Sequence, residues 1–211
     1  MNLLFVHGWG FDATFWSGVE AHLPGWSGAK ADRGYFGAPH EPVPRVPFVA
    51  VTHSFGALRI LRDPPPGCRG LVAINGFDRF VAGSGGAGVA SRVVERMIAG
   101  FDEDARAVVS QFRERCGHGA PFGALAREVL REDLVALRDG DARAGAARFA
   151  RPILSLQGGA DPILPAGLRE TCFASAPSVA RTTRPAAGHL LPLEEPALCA
   201  ARIRAFASRC Q

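Results

Sequence analysis

A chain of 211 residues, 47% of them apolar and 21% charged, has the make-up of one globular domain, with or without a sizeable insertion, and enough length for a substantial core. The net charge is +4, Lys30 is the only lysine and the arginines are scattered, which argues against a nucleic-acid stripe. No window approaches the ~20 apolar residues of a membrane span, and the N-terminal apolar segment is too short for a signal peptide. Five cysteines (Cys68, Cys116, Cys172, Cys199, Cys210) without CxxC or metal-ligand spacing read as reduced thiols of a cytoplasmic protein.

In chain order, Asn2–Val6 is an unbroken apolar run ending in His7-Gly8-Trp9-Gly10, the pattern of a buried parallel strand followed by a sharp turn. Asp12 or Thr14 is placed to cap a helix over 15–23, with Phe15, Val19 and Leu23 on one face. A short strand over 28–32 leads to a loop, 33–47, rich in Gly and Pro where an α/β chain would normally carry a crossover helix. A strand at 48–52, a brief helix stopped at Asp63-Pro64 and a buried strand at 70–75 follow. This alternation implies a parallel sheet with right-handed crossovers.

From 78 to 151 the strand signals stop. A Gly-rich loop at 82–88 precedes helical stretches at 89–98, 102–115 and 121–137, the latter two with Asp102 and Pro121 as helix-start residues. The stretch reads as a helical insertion over the C-terminal ends of the strands, dividing a core into parts 1–77 and 152–211; a separate helical domain is the alternative. Strand pattern resumes at 152–156 and runs into Gly159-Ala160-Asp161-Pro162. A more polar strand at 179–184 reads as lying near an edge, Gly188-His189 follows it, and a helix over 196–208 closes the chain.

The pentapeptide Thr52-His53-Ser54-Phe55-Gly56, between a strand and a helix, has the form of a nucleophile elbow. Its alternative is a serine that merely caps an ordinary helix. A serine hydroxyl is a weak nucleophile at neutral pH and needs a base, with a third group to hold that base in the right tautomer. Ser54, Asp161 and His189 occur in the order Ser…Asp…His, each in a loop after a strand, where open α/β sheets place their sites. Asp161 is otherwise a turn residue before Pro162, and Asp78 is a second candidate acid. The N–H groups of Phe55 and Trp9 are the candidate oxyanion donors. His7 reads as a brace for its own loop, and His53 as pointing away from the nucleophile.

These motifs, with Gly159-Ala160-Asp161-Pro162-Ile163-Leu164-Pro165, resemble the α/β-hydrolase superfamily: a mostly parallel sheet, trimmed at the N-terminus, with a helical cap. The His7-Gly8-Trp9-Gly10 turn is most similar to the pimeloyl-[acyl-carrier protein] methyl ester esterases of biotin synthesis, and 102–117 resembles their second cap helix. The resemblance implies a serine carboxylesterase without cofactor, a monomer, freeing methanol from a dicarboxylate methyl ester on acyl-carrier protein. It places Phe112 against the acyl chain; Phe77, Phe80, Phe122 and Leu190 are further candidate apolar walls. Arg92, Arg96, Arg106 and Arg113 are candidates to meet an acidic carrier, or form a self-compensating solvated face with the acids among them. Thr52 departs from the usual glycine at the elbow, where its Cβ is expected to crowd the helix. Lactone, thioester or carbon–carbon bond hydrolysis, and a non-catalytic binder, are the rival functions.

Overall fold

The computed structural model of the chain describes residues 2–83 and 86–210, so residues 84 and 85 of the expected Gly-rich loop lie outside the described residues. Six strands form one sheet: β1 (Asn2–Val6), β2 (Gly28–Ala31), β3 (Phe48–His53), β4 (Cys68–Ile74), β5 (Ile153–Gly158) and β6 (Val179–Arg184). Their order is β2-β1-β3-β4-β5-β6, and every pairing is parallel. Alternate residues of each strand face opposite sides. Leu4, Val6, Phe48, Ala50, Leu71 and Ala73 belong to one core, and Leu3, Phe5, Val49, Val51, Val72 and Ile74 to the other. Both faces are covered, which is why the central strands are unbroken apolar runs. The polar β6 pairs only with β5, at one edge.

After β1, Asp12 caps a 3-10 turn, Ala13–Trp16, by accepting from the Thr14 N–H, and the short helix α1 (Ser17–Ala21) continues from it. The expected single helix is thus split in two. The segment between β2 and β3 has no helix, as expected. It is pinned by the Asp32–His40 bridge and, through Arg33 and Tyr35, by the buried Asp133 carboxylate, at 2.8 and 2.6 Å. The helix α2 (Phe55–Arg62) joins β3 to β4.

Among the described residues four helices lie between β4 and β5: α3 (Ser91–Glu103), α4 (Ala105–Arg115), α5 (Arg127–Asp139) and α6 (Arg143–Arg148). Two expected boundaries fail here. Asp102 lies inside α3, and Asp104 is the residue that caps α4, accepting from the Ala107 N–H at 3.0 Å. Pro121 starts no helix. The chain breaks at Gly117, whose φ is +94°, and 118–126 runs irregularly because Arg113 and Arg106 hold its carbonyls at Ala120, Phe122 and Gly123. Helix α5 begins only at Arg127. After β5 come α7 (Ala166–Thr171), then β6, a single turn α8 (Leu191–Glu194) and α9 (Pro196–Ala207). The short α6 and α7 escaped the sequence reading, being six residues each. Among the described residues no helix is long and apolar enough to cross a membrane.

Candidate active site

The order of strands reverses at β1, which has β2 on one side and β3 on the other. In open α/β sheets ligands bind in the crevice at such a reversal, beyond the strand C-termini. Val6 pairs with Thr52 and His53 with Ile74, so the loops after β1, β3 and β4 leave the sheet side by side. The turn after β1 presses against the elbow: a Cβ on Gly8 would lie 3.0 Å from Ser54 Cβ and 2.9 Å from His53 Nδ1, and one on Gly56 2.8 Å from the Val6 carbonyl. Only glycine permits this approach.

Ser54 has φ 51° and ψ −122°, and although it stands at the N-terminus of α2 its side chain makes no capping bond. A non-glycine residue in that region is strained, and the surrounding structure must hold it there. The strain turns the hydroxyl to His189, with Ser54 Oγ 3.1 Å from His189 Nε2. The His189 ring donates through Nδ1 to Asp161 Oδ2 at 2.7 Å. Asp161 Oδ1 accepts from the Ile163 and Leu164 N–H groups at 2.7 and 3.0 Å. Burial by itself would raise the Asp161 pKa, but the His189 hydrogen bond and charge and these two N–H groups outweigh it, and the carboxyl stays below its ordinary value. The result is a buried anion beside an imidazole whose far nitrogen faces a hydroxyl, an arrangement able to draw a proton from Ser54.

Asp78, the other candidate acid, is elsewhere. Its carboxylate accepts from the Phe173 N–H at 3.1 Å, and burial raises its pKa. His7 braces its loop as expected, its Nδ1 on the Gly8 carbonyl and its Nε2 accepting from the Arg33 N–H. His53 does face away from Ser54, but it is not idle: its Nε2 donates to the His189 carbonyl at 2.9 Å. Burial first, and the His189 charge second, hold its pKa well below the usual value, so it is neutral. Thr52 is fully buried and donates to the Val72 carbonyl at 3.2 Å. Space beside α2 is provided instead by Gly76, where a Cβ would come within 2.8 Å of Ala57 Cβ. The Trp9 and Phe55 N–H groups engage no protein acceptor among the described residues.

A cavity of about 870 Å³ opens beside Asp161, between helices α3, α4 and α5 and the segments that follow β1 and β5. Its walls include Trp9, Phe80, Val94, Met97, Val108, Phe112, Leu134 and Leu137, and it meets the site at Asp161 and at the candidate oxyanion donor Trp9. Trp9 meets Phe112 edge to face, with ring centroids 5.0 Å apart. Of the expected apolar walls, Phe80 and Phe112 line this cavity. Phe77 is buried in the core beneath it, Phe122 packs on Phe36, and Leu190 belongs to the core on the opposite face of the sheet. Met97, Val108, Leu134 and Leu137 were missed as walls, although their helical spacing marks them as facing inward.

The four arginines divide. Arg92, Arg96 and Arg106 are exposed, and Arg96 lines the cavity. Arg113 is buried, donates to the Gly10 and Ala120 carbonyls and lies over the Phe11, Phe36 and Phe122 rings. It is a structural anchor between α4 and the turn after β1, and cannot meet a partner protein. All five cysteines are free and buried; burial pushes Cys172 up to about 11 and Cys199 to about 12, so neither supplies a thiolate. Among the described residues no cluster of three His, Cys, Asp or Glu side chains suits a metal ion.

A parallel sheet covered on both faces, with a strained serine after β3 and a helical insertion after β4, is the α/β-hydrolase fold. The chain is similar in structure to an esterase from Exiguobacterium antarcticum, at 16% identity and TM-score 0.81, covering 98% of this chain and 91% of that one. A thermophilic esterase from Thermogutta terrifontis (18%, TM-score 0.78, 100% and 90%) and a bromoperoxidase from Bacillus anthracis (16%, TM-score 0.80, 97% and 91%) share the fold to the same degree. No protein-family model and no curated protein sequence matches the chain.

Proposed function

We propose that the protein is a serine carboxylesterase. The observation that carries this reading is the chain of hydrogen bonds from Ser54 through His189 to Asp161, at 3.1 and 2.7 Å, at the point where the strand order reverses. Ser54 attacks the ester carbonyl as His189 Nε2 takes its proton. The imidazolium is stabilised by Asp161 and returns the proton to the leaving alcohol, and water then repeats the sequence on the acyl-enzyme. The Trp9 and Phe55 N–H groups receive the oxyanion, each such donor being worth about 3 kcal/mol in the transition state. Esterases among the structures of the same fold support the reading.

The apolar cavity supports an acyl chain of middle length as the substrate's acid part. The narrower reading, a pimeloyl methyl ester on acyl-carrier protein, rests on the likeness of the His7-Gly8-Trp9-Gly10 turn and on the exposed Arg92, Arg96 and Arg106 as a basic landing face. Two measurements test it. Ser54→Ala should lower kcat on a simple ester by about six orders of magnitude while leaving the fold intact; wild-type turnover by that variant would overturn the mechanism. Pimeloyl methyl ester on carrier protein should be hydrolysed with a higher kcat/KM than the same ester free in solution, and equal values would remove the carrier from the proposal.

A further inference from the structure

His189 sits in a loop, and a loop does not by itself hold an imidazole to a fraction of an ångström. Two buried side chains outside the triad grip its backbone. Asn75, directly after β4, is fully buried with φ 46°. Its Nδ2 donates to the Gly188 carbonyl and to Asp161 Oδ2, both at 2.8 Å, and its Oδ1 accepts from the Gly158 N–H at 3.0 Å. The oxygen of Asp161 that takes the His189 proton donor is therefore the one the Asn75 amide also holds. One residue further on, the His189 carbonyl accepts from His53 Nε2 at 2.9 Å. Among the described residues these two consecutive carbonyls have no other donor.

His53 is itself fixed. Its ring stacks on Phe15 with centroids 4.5 Å apart and lies 4.9 Å from the His189 ring. Its Nδ1 is buried without a partner. That suits a neutral ring whose single proton is on Nε2, since a bare acceptor is tolerated more readily than a buried unpaired N–H.

We propose that Asn75 and His53 are positioning residues that clamp the Gly188–His189 backbone and so set the imidazole between Ser54 and Asp161. The proposal rests on the reading of those three residues as a hydrolytic triad. Both side chains are fully buried and neither lines the cavity. Asn75 couples the acid to the base loop, and His53 couples the elbow to it, so a shift in either moves the base relative to both of its partners.

The test compares the full chain with Asn75→Ala, His53→Leu and His53→Gln, the last keeping a donor at the position of Nε2. Steady-state hydrolysis of p-nitrophenyl butyrate gives kcat and KM, and proton NMR gives the low-field Nδ1–H signal of His189, assigned by its loss in Asp161→Asn. Asn75→Ala and His53→Leu should each lower kcat by about 100-fold with KM within about twofold, as a misplacement of about an ångström does. Both should lose the low-field signal. His53→Gln should keep the signal and recover to within about tenfold of the parent. Unchanged kcat in His53→Leu or Asn75→Ala, or equal losses in His53→Gln and His53→Leu, would overturn the proposal. If Asn75→Ala does not fold, the two His53 variants decide alone. Failure of the hydrolase reading is separately visible, as a parent protein that neither turns over nor reacts with a fluorophosphonate at Ser54, and the NMR signal tests the clamp in that case too.

Discussion

Asp161 carries three demands at once: it orients His189, it keeps a negative charge in a buried place, and it caps the turn that follows β5. Four donors meet at its two oxygens, from His189, Asn75, Ile163 and Leu164, which is the saturation a buried carboxylate needs. Its folded pKa lies below the ordinary value, so the unfolded chain binds the proton more tightly than the folded one. The stabilisation is then fully present above the unfolded carboxylate pKa of about 3.9 and is lost as pH falls through the lower folded value. Asp161→Asn removes that titration. Urea midpoints measured from about pH 5 down to about pH 2 should fall less steeply for the variant than for the parent. Parallel slopes would mean that Asp161 is not held as an anion.

At the scale of elements, the tight joint between α3 and α4 stands out. A single residue, Asp104, ends the first helix and starts the second: its N–H bonds back to the Gly100 carbonyl at 2.8 Å, and its carboxylate accepts from the Ala107 N–H at 3.0 Å. Losing such a cap costs about 1 kcal/mol. Asp104→Ala should therefore lower the urea-derived unfolding free energy by about 1 kcal/mol, whereas Asp104→Asn, which keeps the cap, should stay within about 0.5 kcal/mol of the parent. A loss as large in the Asn variant would trace the effect to charge instead.

The same joint explains what the sequence could and could not convey. Asp102 looks like a helix start in the sequence, and only the fold moves that start to Asp104, because α3 continues to Glu103 to bury Phe101. Pro121 misled for a related reason: Phe122 finds its partners in Phe36 and the arginines above it, a tertiary contact that overrides the local helix signal. The strands were legible because full burial on both faces makes Leu3–Val6 and Val49–Val51 apolar without interruption. The convergence of Ser54, Asp161 and His189 was legible because chain order and strand-end placement constrain the three jointly. Asn75 and His53 were not, since an amide and a second histidine carry no chemical signature until the Gly188 and His189 carbonyls are brought to them.

Taken whole, the molecule places an apolar cavity of about 870 Å³ between the segments that follow β1 and β5 and the helical insertion between β4 and β5. Arg113 ties that insertion to the turn after β1, and Asp133 ties it to Arg33 and Tyr35. An acyl chain lying in this cavity would gain about 0.8 kcal/mol for each methylene it buries, close to fourfold per methylene if the gain is realised in the transition state. Over an ester series from acetate to decanoate, kcat/KM should therefore climb by about that factor per methylene and then level off where the cavity ends. Met97, on α3, lines the cavity and is only partly buried, so it can be changed with little effect on the core. Met97→Trp should move the levelling point to shorter chains and Met97→Ala to longer ones, with kcat/KM on the acetate ester changed by less than about twofold in either. If both variants keep the parent's chain-length profile, the acyl chain lies elsewhere, and the cavity between α3, α4 and α5 is not the acid pocket of the proposed esterase.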